Sequence, residues 1–491
     1  MLTITLNPQI MKPIRERDPR MLSYNIEITE LTGGTFWKPY TDAQVDGTEA
    51  FVASPVRADM YAPLPQIDLT EPRIIACANA LGRGRTIVRF SGSWSTRTYF
   101  DWDDSTNGVV PEGFEWVLTR DQLRKALDFV KAIDGEVLLS VANSRGVHAN
   151  GGTGEWLPDQ AEKLWDFVSE CGMTVSYAQF MNEPNLMSHM NLPEGYNAET
   201  FGRDHDLFAR WLREKHPETK FVDPCAADGP MAQGADVDEM MKRGFYPTRE
   251  LLKCCREPMD VYSFHSYAAM SERAIYGPHF TPDEALDEKV TDSHLAAMKY
   301  HAGIRDEFAP GAQLFITETA GACCGGSTWA PTFMEIFRAL GQVGIYSREA
   351  TCVIFHNTLA SSAYGLLDPA THLPRPHYWA WYLFNLLAGG TVYDSGIDET
   401  GAHVYAFSRA DGKEGRCVMV INNSKTETTA VTLPGKAEAY ILSSDRLRSR
   451  DIFCNGVKLA MVDDHTLPVP QPHMVEGTVE LAPATVGFFV M

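Results

Sequence analysis

Residues 175–190 read "VSYAQFMNEPNLMSHM": an apolar run halted by Asn-Glu-Pro-Asn. The run is short, uncharged, and β-branched and aromatic at its start, which predicts a buried strand. Pro184 cannot continue a central strand, and Asn favours turns, so a plain turn is the simplest reading of residues 182–185. A carboxylate, Glu183, is nevertheless held at the strand's end between Asn182 and a proline. The rest of the chain gives that placement its meaning.

Seven further runs have the same character: 22–28, 86–90, 136–141, 219–223, 259–264, 313–318 and 351–356. Amphipathic stretches separate them. The clearest are 119–133, with Leu123, Leu127 and Val130 on one face, 159–170 and 200–215, followed by 292–307, 331–342 and 377–387. Eight strands alternating with helices predict an α/β fold, a (β/α)8 TIM barrel over residues 16–388. A doubly wound open sheet is the alternative, and the count of eight argues against it. Beyond 388 the pattern changes to short β-type runs between Gly, Asn, Asp and Pro turns: "AHVYAFSR", "RCVMVINN", "TAVTLP", "AEAYILS" and "TVGFFVM". This predicts an antiparallel β-sandwich domain over 389–491. Within residues 1–15, "LTITL" is expected to add a strand to it.

Composition narrows the function. The chain has 491 residues with 43 basic and 64 acidic side chains, a formal charge of −21. A field of that sign repels nucleic acid and long polyanions unless a local basic groove overrides it. The short "RGR" (83–85) and "RLRSR" (446–450) are expected to be solvated surface, so no nucleic-acid partner is expected. No run approaches the length of a membrane span, and the first residues lack a basic start followed by an apolar core. The ten cysteines, two pairs of them adjacent (Cys254–Cys255 and Cys323–Cys324), show no zinc spacing. Reduced thiols and a cytoplasmic location are the expectation.

In barrel enzymes the working residues stand at the C-terminal ends of strands. Glu183 ends strand four, and Glu318, in "LFITETAG", ends strand seven. Two carboxylates so placed face each other across the barrel mouth. Retaining glycoside hydrolysis needs that pair, one acid protonating the leaving oxygen and one carboxylate attacking the anomeric carbon. Asn182 is placed to donate to a sugar 2-hydroxyl, and Pro184 fixes the aim of Glu183. Strand six ends "SFHSY", so His265 and Tyr267 point into the same mouth, where Tyr267 can hydrogen-bond the nucleophile and keep it ionised. An aromatic lid without chemical role is the bland reading of that pair.

"NEPN" (182–185) with the strand-seven Glu resembles clan A of the glycoside hydrolases. "ITETAGACCGGST" (316–328), "SSAYGLLDPATHLPRPHYW" (361–379) and "LSSDRLRSRDIFCNGVKLAMVDDHTLPVP" (442–470) are similar to segments of family 79, the heparanase and β-glucuronidase family. The resemblance implies Glu183 as acid/base and Glu318 as nucleophile. It implies that a uronic acid carboxylate is bound by the amides of the Gly325–Gly326 turn and by Tyr364. It also implies that Glu27 holds a sugar hydroxyl and that Ser93 approaches the carboxylate. Amide donors in a turn make an anion nest without a cation. Cys323–Cys324 replace the family's usual Tyr-Gly, and His356 stands where heparanase-like members carry an amide; both departures are expected near the mouth.

The implied function is an exo-acting retaining β-glucuronidase, its partner a glucuronic acid-containing glycoside or oligosaccharide end. No metal or other cofactor is expected, since neither H-E-x-x-H nor a P-loop occurs. The alternatives are an endo-acting heparanase-like enzyme, another clan A glycosidase such as a β-xylosidase or arabinofuranosidase, and a non-catalytic sugar-binding barrel.

Overall fold

The structure is a computed structural model that describes residues 1–230, 236–397 and 399–491. Eight parallel strands close into a barrel: β1 (Leu22–Glu27), β2 (Ile87–Ser91), β3 (Glu136–Ser140), β4 (Val175–Gln179), β5 (Lys220–Ala226), β6 (Val261–Met270), β7 (Gln313–Cys323) and β8 (Cys352–His356). Each lies on a run the sequence marks. The period-two alternation of a strand fills the interior. Ile87, Leu138, Tyr177, Val222, Val261, Phe315, Val353 and Phe355 form a closed apolar layer across the barrel. Two residues further up the inward face of β2 stands Arg89, which begins the polar layer above.

β6 and β7 overrun their expected ends at 264 and 318. They keep pairing with each other above the rim, Tyr267 opposite Ala320 and Met270 opposite Cys323. Backbone groups that would otherwise lose their partners are thereby satisfied, and the pair becomes a raised wall beside the mouth. The helix expected over 331–342 is Glu335–Glu349 instead, because residues 327–334 are spent on tight turns that dock onto the C-terminal domain, Phe333 N donating to Ser449 O (2.8 Å) and Met334 N to Leu447 O (3.1 Å). The helix expected at 200 begins at Ala198, where Asn197 accepts from Thr200 N.

After the barrel comes an antiparallel sheet of His403–Arg409, Cys417–Asn422, Thr485–Val490 and Ala437–Ser443, extended by Ala388–Asp394 and Lys12–Glu16. One face packs on a smaller sheet through Ile4, Val404, Val418, Val431 and Phe489. On the other face, Phe407 packs on Phe384 of the last barrel helix, and Tyr405 fills the space beside Gly344. Burial on both faces explains why these strands read as nearly unbroken apolar runs. Leu2–Thr5 lies in the smaller sheet, parallel to Thr429–Thr432. "RLRSR" differs from expectation at its centre. Arg446 and Arg450 are exposed and pair with Asp46 and Asp42, but Arg448 reaches inward to the carbonyls of Gln44 and Val45 and to Thr328.

Candidate active site

The barrel mouth opens into a cleft of about 1370 Å³. Glu183 follows β4 in a left-handed backbone conformation, φ 45° and ψ 57°. This is costly for a non-glycine residue, on the order of 1–3 kcal/mol, and such conformations cluster at functional sites. Pro184 then opens a tight turn in which Leu186 N donates to Glu183 O. Glu318 faces Glu183 from β7. His265 lies between them, its Nδ1 donating to Glu183 Oε1 at 2.9 Å and standing 3.5 Å from Glu318 Oε2. Ligand-type atoms of all three residues fall within 4.8 Å of one another. Such a triangle has the dimensions of a metal site, with His265 as its one nitrogen corner. Burial alone would drive His265 toward neutrality; Glu318 and Glu183 more than reverse this and bring its pKa to about 9.

Glu318 is the most supported carboxylate in the cleft. It accepts from Arg89 Nη1 at 3.1 Å and from Tyr267 OH at 2.8 Å. Burial would raise its pKa, yet the charges of His265 and Arg89 and these hydrogen bonds hold it below the ordinary value. Glu318 is therefore an ionised carboxylate. Arg89, fully buried, also donates Nε to Gln179 Oε1 (3.0 Å) and Nη2 to Asn182 Oδ1 (2.6 Å). That contact fixes the Asn182 amide, leaving its nitrogen as a donor directed at the cleft edge, 3.4 Å from Ser93 Oγ. Sequence reasoning misses Arg89, although a signal is present: a lone cation at an inward position of an apolar strand, "TIVRF".

Glu27 ends β1 with the opposite character. Burial, then the nearby charge of Glu318, push its carboxyl pKa well up, and Oε2 has no protein partner. The neutral form of this carboxyl is thereby favoured, and Oε2 lies buried against Gly92 without a protein partner. Gly92 makes room for it: a Cβ there would lie 1.4 Å from Glu27 Oε2.

Tyr364 also lines the cleft. Its hydroxyl accepts from Asn357 Nδ2 (3.2 Å), which also donates to Tyr267 OH (3.1 Å). Asn357, at the end of β8, is a second residue that sequence reasoning misses. Gly325 and Gly326 are not among the lining residues; Cys323, Cys324 and Tyr364 stand in front of them. Both glycines have positive φ, and a Cβ on Gly325 would meet Trp37 and Ser362 at 2.5 Å. Buried Arg273 donates Nη1 to Gly326 O (2.7 Å) and lies 3.3 Å from Cys324 O. A trans peptide points its N–H opposite its C=O, so the amides of Gly325 and Ser327 are turned away from Arg273. His356 does not reach the mouth. It lies fully buried behind Tyr364, its Nε2 donating to Tyr364 O at 2.7 Å, and burial lowers its pKa to about 3. The neighbouring His377, which packs on it, completes an apolar-backed support for that tyrosine.

The cleft's two ends differ. On the β1 side a hairpin of Gly34–Trp37 and Tyr61–Leu64 carries Phe36, Trp37 and Tyr61. With Trp94 and Tyr364 they make an aromatic wall, Trp37 stacking on Tyr61 at 4.9 Å. The β4–β6 side, next to Glu183, is lined by Leu186, Met190, Phe245, Ile275 and Tyr276. Arg97, also in the lining, is paired with Glu115 at 2.8 Å.

No protein-family model matches the chain. Among curated proteins it is 25% identical over 358 residues to the heparanase of Gallus gallus, a match covering 69% of this chain and 65% of that one. The match to the heparanases thus spans under two thirds of their length. It is 23% identical over 491 residues to the hyaluronoglucuronidase of Hirudo nipponia, covering 90% and 94%. The chain is a distant homologue of the heparanases and related glucuronidases. Among solved structures, a 4-O-α-L-rhamnosyl-β-D-glucuronidase from Fusarium oxysporum aligns with a TM-score of 0.63 at 12% identity, covering 100% of both chains. An α-L-arabinofuranosidase from Thermotoga maritima aligns at 0.58 and 12%, also over 100% of both. Likeness at that identity concerns the fold, and it extends through both domains. No helix among the described residues is long and apolar enough to cross a membrane.

Proposed function

We propose that this chain is a retaining, exo-acting β-glucuronidase. One observation carries the reading: oxygens of Glu183 and Glu318 lie within 4.8 Å across the barrel mouth. Retaining glycosidases hold their carboxyls about 5–5.5 Å apart, and inverting ones about 6.5–9.5 Å. Ionised Glu318 attacks the anomeric carbon, and the aglycone leaves with a proton from Glu183. Water, deprotonated by Glu183, then opens the glycosyl-enzyme ester. Tyr267 and Arg89 keep the nucleophile charged and aimed, Asn182 meets the 2-hydroxyl, and Glu27 a further hydroxyl.

The homology to glucuronidases supports a uronic acid in the glycone site. Tyr364, which lines the cleft, is the donor we assign to its carboxylate, and the Gly325–Gly326 turn packs against that tyrosine from behind. The aromatic wall bounds the cleft on the β1 side and supports exo action. The leaving-group side, next to the acid/base, is apolar and fits a small or aromatic aglycone better than a sulfated chain. The net charge of −21 points the same way.

The test is initial rates on chromogenic β-glucuronide, β-glucoside and β-xyloside, with size-exclusion chromatography of heparan sulfate after long incubation. The glucuronide is expected to exceed the others by at least about tenfold, with heparan sulfate unshortened. A preference for the xyloside, or fragmentation of the polymer, contradicts the proposal.

A further inference from the structure

Two adjacent cysteines stand in the cleft wall, and the proposed hydrolysis does not use their thiols. Cys323 is the last residue of β7, the strand that carries Glu318. Cys324 follows with φ 54°, and the two Sγ atoms come within 3.8 Å. Both residues line the cleft, and no other cysteine among the described residues does. The second adjacent pair is the internal contrast. There each thiol folds back onto a carbonyl of its own helical turn, Cys254 onto Glu250 (3.6 Å) and Cys255 onto Leu251 (3.5 Å). Adjacency alone therefore does not bring sulfurs together; the turn after β7 does.

Closure to a disulfide is disfavoured here. Adjacent Cα atoms are about 3.8 Å apart, shorter than the roughly 4.4–6.8 Å span of ordinary disulfides. The Cys323 thiol, hydrogen-bonded to Cys324 and buried, also ionises reluctantly, and the thiolate is the form that attacks. A larger soft centre that bridges both sulfurs meets no such geometric limit, and soft centres select thiolate ligands.

We infer that Cys323 and Cys324 form a two-sulfur site for a soft, thiophilic centre such as trivalent arsenic, and that filling it obstructs the cleft. Cys323 is close enough to Glu183 for that carboxylate's charge to raise its pKa, and its strand partner Met270 lines the cleft too. A group anchored there intrudes on the leaving-group side. With an organic arsenoxide the step balances without oxidation. Two S–H bonds and the As=O bond break, two As–S bonds form, and the two protons leave with the oxygen as one water.

The experiment titrates the full chain with phenylarsine oxide and reads intact mass, titratable thiols and glucuronidase rate. Only the rate rests on the proposed function; mass and thiol count test the site even if no glucuronide is cleaved. Wild type and the Cys254→Ser/Cys255→Ser double variant are expected to gain one arsenical with loss of one water and of two thiols. A dithiol should reverse the adduct, and a monothiol of equal thiol concentration should not. Cys323→Ser and Cys324→Ser, with alanine versions as a second check, should each lower the stability of the adduct at least tenfold. Wild-type rate should fall in proportion to loading. Absence of an adduct, an undiminished adduct in the Cys323 and Cys324 variants, or its mapping to Cys254–Cys255 overturns the site. Full loading with unchanged rate on a cleaved glucuronide overturns the obstruction.

Discussion

Replacing His265 by glutamine keeps a hydrogen-bond donor between Glu183 and Glu318 but removes the positive charge. The folded His265 has its pKa raised from 6.5 to about 9. A group raised in this way adds stability that is fully present below pH 6.5 and is lost as pH climbs through 9. At about 1.4 kcal/mol for each pH unit, that interval corresponds to about 3 kcal/mol. Two buried acids also titrate near this window, Glu30 pushed up to about 8 and Asp223 to about 7, both by burial. They too lose stability as pH rises, but in wild type and variant alike. The informative quantity is therefore the difference between the two proteins. Denaturant unfolding from pH 6 to 10 should show the His265→Gln deficit largest at pH 6 and smaller by about 3 kcal/mol at pH 10. A deficit that stays constant across this range would mean that His265 is neutral in the folded protein. Glu318 would then be held ionised by Arg89 and Tyr267 without it.

Three further outcomes are expected. Glu318→Ala should abolish turnover of every substrate, while Glu183→Ala should spare substrates with very acidic leaving groups, which need little protonation; equal loss on good and poor leaving groups contradicts the roles. Tyr364→Phe should lower glucuronide turnover about 10- to 100-fold, the weight of a hydrogen bond to a charged group, and residual glucosidase turnover far less, as read from kcat/KM on both. Gly92→Ala should displace the Glu27 carboxyl, whose oxygen stands where the new Cβ would be, and cut kcat, with a lowered unfolding midpoint because Gly92 has φ 90°; unchanged kinetics in the folded variant would remove Glu27 from the glycone site.

The barrel is legible in the sequence because its strands are apolar on both faces and its helices on one, so the period changes at every boundary. The two carboxylates are legible because each closes an apolar run of the sequence, although Glu183 lies past the end of β4 and Glu318 lies within β7. Pairing and depth set the features that lie beyond such reading. Strands β6 and β7 run past the rim because they satisfy one another, which neither segment reveals alone. His356 and Tyr364 both read as mouth residues, yet one packs behind the other, since the path of the loop after β8 decides which side chain reaches the cleft. Arg89 is visible as a charge in an apolar strand, but its role as the clamp on Gln179, Asn182 and Glu318 requires other strand ends to be in place. Arg448 likewise sits in an apparently solvated basic run and is drawn inward only by the carbonyls of a distant helix end.

Whether Glu318 is the nucleophile of a retaining reaction can be decided by trapping the intermediate. A 2-deoxy-2-fluoro-glucuronide with a good leaving group forms the glycosyl-enzyme ester and slows its hydrolysis. Digestion and mass spectrometry of the inactivated protein should place a single fluoroglucuronyl group on Glu318, with none on Glu183. A label on another residue, or hydrolysis of β-glucuronides to the α-anomer without any covalent adduct, would refute that role.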